Sequence, residues 1–158
     1  MIFFNFFPLL MGVSQNKNYV ALREHFDKYK DNYQECKKMY EKLEKDIDVV
    51  HRGYAAMYAF MLAKHHWDVF SKWHYFSVGK KLLENAISEN SNTLELRFMR
   101  MVIQMNLPSV LGYNSKIEED KAFVLKHFNS TNDEDLKSRI KNYLISNKII
   151  KEKTIEHL

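Results

Sequence analysis

The chain predicts an all-α protein of six or seven helices in consecutive antiparallel hairpins. Three observations lead there. First, Gly 4 and Pro 2 in 158 residues leave few chain breakers, while aromatics at 14% supply bulky packing groups. That balance fits long packed helices better than a turn-rich β sandwich. Second, apolar residues recur at three- and four-residue steps through most of the chain, which is the helical period. Third, short polar runs rich in Asn, Ser and Thr separate these segments, and their side chains compete for backbone hydrogen bonds. The length suits one domain with a real core.

In chain order, Met1 to Ser14 is apolar enough for a signal-peptide core and too short to span a bilayer. Gly12 and Ser14 place small residues before a cut at Gln15. The run has no Lys or Arg ahead of it, so an uncleaved anchor, a mis-assigned start and a buried first segment stand beside the signal reading. Residues 15–147 then form the domain and 148–158 a basic tail that frays. Within Asn18 to Asp46, Leu22, Phe26, Tyr29, Tyr33, Cys36, Tyr40, Leu43 and Ile47 keep a heptad-like phase. That unbroken phase argues for one helix, while a hairpin architecture argues for two divided at Asp31-Asn32.

Val49 to Lys64 is apolar nearly all round, as expected of a central buried helix. His65 to Phe70 reads as a linker, and Ser71 as the cap of a helix from Lys72 to Ser88. The run Asn90 to Thr93 stops that helix. Asn92, with Glu95 three residues on, has the capping-box spacing for the next one. This next helix carries Leu94, Phe98, Met101, Val102 and Met105 on one face and Leu96, Met99 and Ile103 on another. A loop from Pro108 to Asn114 follows. Ser115 with Glu118 and Thr131 with Glu134 repeat the capping-box spacing and start two last helices. The final one buries Leu136, Ile140, Tyr143 and Leu144.

From Ser77 to Gln104 the chain reads as helix, polar turn, helix. Gly79, Leu83 and Ala86 recur as small, large and small residues on the first helix. This pattern resembles one tetratricopeptide repeat, with Ser91 standing where that family has its proline, and no second full copy follows. More broadly, Gly53 to Lys121 is similar to a group of uncharacterised bacterial helical proteins. The first resemblance implies right-handed stacking of helical hairpins, and neither implies a particular activity.

The chemistry-bearing residues are few. Arg97, Arg100 and Gln104 fall at steps of three and four on a helix that is apolar on two other stripes. Such a polar row faces either an internal acidic partner, with Glu118, Glu119 and Asp120 available, or a carboxylate, phosphate or peptide bound by the guanidinium forks. Tyr113 would rim that second site. The internal ion-pair network is the commoner outcome. His65, His66 and His74 lie close, with Asp68 between, but adjacent histidines on a helix diverge and no metal-site spacing occurs. Cys36 is the only cysteine, which excludes an internal disulfide, and its place on an apolar stripe suits an inert thiol. The aromatics from Tyr54 to Phe76, including Trp67 and Trp73, have helical spacing, so core packing is the default over ligand stacking. Basic residues interleave with acidic ones, 24 against 20, unlike the single stripe of a nucleic-acid binder. No catalytic group, metal or cofactor is expected. The sequence therefore points to a non-enzymatic protein-binding or scaffold module, exported to the periplasm or cell envelope. Its site would be a groove by Arg97, Arg100, Gln104 and Tyr113, and its partner a protein or peptide. The alternative is a small-ligand binder or small enzyme built on the same residues.

Overall fold

The computed structural model describes residues 15–151. The expected signal sequence, residues 1–14, lies outside the described residues, as does the end of the tail. Among the described residues there are seven α-helices and no strand: α1 (Gln15–Tyr29), α2 (Tyr33–Leu43), α3 (Val49–His65), α4 (Val69–Glu89), α5 (Leu94–Asn106), α6 (Ile117–His127) and α7 (Glu134–Ser146).

The heptad-like stretch is two helices. Asn32 divides them, its side-chain oxygen accepting from the Glu35 backbone N–H at 3.0 Å. The phase survives the break because both helices turn the same stripe inward, where Leu22, Cys36 and Leu43 are buried. Ile47 does not join them: it lies past the end of α2 and is 94% exposed.

Contacts along the helices give their directions. Tyr19 bonds Asp48, His25 meets Tyr58, and His65 reaches the Lys30 carbonyl, so α1 and α3 run parallel. Arg139 meets Asp27 and Asn106 meets the Tyr143 hydroxyl, which aligns α7 with α1 and α5. The even helices return antiparallel, with α2 and α4 closely packed on α3, and α6 on α5. As its all-round apolar sequence suggested, α3 is central, burying residues from Val50 to Leu62.

Close approach is built into this core. A Cβ on Gly79 would sit 3.2 Å from the Ala56 carbonyl oxygen and 3.3 Å from the Phe60 ring, so the small residue lets α4 press on α3. Gly53 does the same for α5, where a Cβ would run into the Leu96 side chain and come 3.0 Å from Met99 Sδ. Two apolar clusters result. The larger surrounds α3 and takes Leu96, Met99 and Ile103 from α5. The smaller gathers Met101, Val124, Phe128, Leu136, Ile140 and Leu144, with Leu94 and Phe98 against it. Ile149 and Ile150, in the part of the tail the structure describes, also pack on this second cluster.

Several helix starts differ from expectation. Asp68 caps α4, accepting from the Ser71 N–H at 2.7 Å, so Val69 and Phe70 belong to the helix and not to a linker. Asp133, not Thr131, caps α7 through the Leu136 N–H. At α5 and α6 the boundary residues are Thr93 and Lys116, and neither makes a side-chain cap bond. Glu95 does not reach back to close a capping box because it is buried and held elsewhere.

Candidate functional site

The structure brings Arg97, Arg100, Gln104 and Tyr113 together and buries all four. Their row on α5 points between the two apolar clusters, toward α6 and α4, and carboxylates meet it there. Asp120, fully buried on α6, takes Arg100 Nε at 2.7 Å and Nη2 at 2.9 Å. It also lies 2.5 Å from Arg97 Nε, an ion-pair contact out of hydrogen-bond alignment. Glu84 of α4 takes Arg100 Nη1 at 2.7 Å and receives the Tyr113 hydroxyl at 2.6 Å. Arg97 Nη2 reaches the more exposed Glu119 at 2.9 Å, and the Arg97 guanidinium lies over the Phe123 ring. Gln104 spends its carbonyl on the Lys116 N–H at 3.0 Å, tying the loop to α5, while its amide nitrogen finds no hydrogen-bond acceptor.

Burial works against the Arg100 charge, but its hydrogen bonds to the Asp120 and Glu84 carboxylates more than offset it and hold the group charged well above its ordinary range. Burial and Glu84 together push the Tyr113 phenol up. The cluster is thus an internal ion-pair network joining α4, α5 and α6. An incoming anion would have to displace Asp120.

A second network escaped the sequence altogether. Arg23 of α1, 1% exposed, forms a two-point fork with Glu95 at 2.7 Å for both bonds. It also bonds Asp133 at 2.7 Å and Asp135 at 2.9 Å on α7. Tyr54 of α3 donates to the same Glu95 at 2.9 Å. One guanidinium therefore links α1 and the start of α7 to α5. No local signal marks it, since its partners lie 72 and 110 positions away.

His65 and His66 are engaged in packing, and His74 is exposed. His66 stacks on Tyr75 at 5.2 Å between ring centres, and His65 contacts the Lys30 carbonyl. Among the described residues no three His, Cys, Asp or Glu side chains gather as a metal site. Cys36 is buried, its thiol directed at the Lys30 carbonyl 3.2 Å away. Burial first, then Asp31 and Glu35, pushes that thiol up to about 11. No helix among the described residues is long and apolar enough to cross a membrane.

The open concavity lies on the other face of α5. A groove of about 820 Å³ is floored by Met57, Phe60 and Met61 of α3 and Val102 and Ile103 of α5, with Phe26 of α1 beside them. Val69, Trp73 and Leu111 stand at its mouth, and Lys30, Lys64 and Lys72 are its basic residues. A second hollow of about 480 Å³ shares Phe26, Met57 and Val102 and continues between α1 and α7, past Phe98, Leu136 and Tyr143. The two hollows adjoin along Phe26, Met57 and Val102: α1, α3, α4 and α5 line the larger, and α1, α3, α5 and α7 the smaller.

With this geometry in hand, the fold and site define a class: an all-α protein of stacked helical hairpins with an open apolar groove. Comparison with protein-family models, with curated proteins and with solved structures gives no match.

Proposed function

We propose that this chain is a non-enzymatic protein-binding module that holds an apolar peptide segment in the groove lined by α1, α3, α4, α5 and α7. The groove itself supports the reading: it is wide enough for side chains, apolar along its floor, and open, with Trp73 and Val69 exposed at its mouth. Exposed apolar surface of this kind marks a protein interaction site more often than chance decoration. The basic residues Lys30 and Lys72 favour a segment with acidic flanks, while Lys64 is paired with Asp31 of the same lining.

The Arg97 and Arg100 row serves this function indirectly, by fixing α5 against α6 so that Val102 and Ile103 face the groove. A pocket for a small anion at that row is the weaker reading, because both guanidiniums already hold carboxylates. The parallel inner helices and returning outer helices support a tetratricopeptide-like stacking as part of this proposal. Export, with Met1 to Ser14 as its signal, belongs to the same proposal.

The test is peptide display against the purified chain, followed by Met61→Glu and Val102→Glu. Apolar peptides should be selected, and each substitution should weaken them more than tenfold, since a carboxylate on the floor must be desolvated. Selected peptides that bind both variants as well as the parent would refute the groove.

A further inference from the structure

The parallel course of α1, α3, α5 and α7 brings their C-terminal ends to one end of the molecule. There Lys64 pairs with Asp31 at 3.1 Å across the α1–α2 turn, and Asn106 meets Tyr143. From this end project the largest exposed aromatics among the described residues: Trp67 is 91% and Phe70 89% exposed, with Trp73 at 58%. Val110, from the loop after α5, is 88% exposed. Trp67 and Phe70 lie outside the lining of the groove, so groove binding does not account for them.

The same end is basic. Lys28, Lys64, Lys72, Lys148 and Lys151 are exposed there. Its acidic residues are engaged: Asp31 pairs with Lys64, Glu35 with Lys38, Glu118 with Lys121 and Glu119 with Lys116, and Asp68 caps α4. Lys28 and Lys64, in the last turns of α1 and α3, complement the helix dipoles, but Lys72 stands in the first turn of α4, and two nearly bare aromatic rings are left without a role. Exposed indole and phenyl rings on an end that also carries exposed lysines have the composition of a surface that seats at lipid headgroups.

We propose that this end docks on an anionic membrane surface, with Trp67 and Phe70 entering the headgroup layer and the lysines facing the lipid charge. The inference does not rest on the groove reading.

The experiment uses the full chain with vesicles of phosphatidylcholine alone or mixed with phosphatidylglycerol. Trp73→Phe leaves Trp67 as the only indole. Cosedimentation with the anionic vesicles should fall with added salt, and Trp67 fluorescence should shift blue and be quenched by brominated lipid. Trp67→Ala with Phe70→Ala should reduce partitioning about tenfold or more, with circular dichroism unchanged. Lys72→Gln with Lys64→Gln should weaken it severalfold on anionic vesicles only. Three results would each overturn the proposal: no binding to anionic vesicles at low salt, binding unaffected by the aromatic pair, or lipid-free dimers that the aromatic pair abolishes. The last would make the corner a contact between copies of this chain.

Discussion

Asp120 is the most instructive residue to remove. It is fully buried, and its two oxygens meet Arg97 Nε at 2.5 Å and Arg100 Nε at 2.7 Å. Without it, Arg97 keeps Glu119, whose side chain is 47% exposed, and Arg100 keeps Glu84, at 37%. Both remaining partners are screened by solvent and replace little of the lost interaction. Taking one partner from a buried ion network costs about 3–5 kcal/mol, because the opposing charges stay behind. Asp120→Ala should therefore destabilise by about that amount in urea titration, and Asp120→Asn by less, since the amide retains one acceptor. Adding Arg100→Met to Asp120→Ala should recover part of the loss, giving a coupling energy that a double-mutant cycle reads directly. A cost below about 1 kcal/mol for Asp120→Ala, the level of an exposed pair, would refute the closed network.

The other predictions follow from packing and titration. Gly53→Ala forces a methyl into Leu96 and Met99, so it should destabilise by about 1–3 kcal/mol despite better helix propensity, measured by thermal or urea unfolding. Leu83→Ala, at a fully buried position, should cost about 2–5 kcal/mol, and Phe98→Ala clearly less, because Phe98 is half-buried beside the groove. Burial pushes the Asp133 carboxyl up, but the bonds to Arg23 and to the Leu136 N–H outweigh it and hold the group below its ordinary 3.8. Its stabilisation is therefore complete above that value and lost as pH falls below it, and Asp133→Asn should flatten the acid limb of a stability–pH curve. Cys36, with its thiol pushed up to about 11, should resist aromatic disulfide reagents at neutral pH and react fully once urea unfolds the chain.

The parts legible from sequence were those carried by local period. The apolar circumference of Val49 to Lys64 placed α3 at the centre, and the two stripes of α5 correctly set it between two apolar surfaces. The Arg97–Arg100 row was visible for the same reason, and Asp120, a turn into the next helix, was a near neighbour able to answer it. Caps were less legible, because several Ser, Thr, Asn and Asp residues crowd each turn and only backbone geometry selects among them. Glu95 shows the cost: the cap falls at Thr93, one residue past Asn92, and Arg23, 72 positions away, holds the carboxylate. The groove was illegible for a related reason, since Phe26, Met61 and Val102 read as ordinary core residues and only the wide placement of α1 and α7 leaves them uncovered. Trp67 and Trp73 were assigned to core packing by their helical spacing, whereas both are exposed.

The most direct test of the groove is methyl NMR on methionine-labelled protein, titrated with a peptide selected by display. Met57, Met61 and Met99 line the groove, while Met39 and Met101 are buried away from it. The account predicts saturable shifts at the first three methyls and little change at the other two. Shifts led by Met101, which lies on the helix that carries the arginine row, with Met57 and Met61 silent, would contradict it.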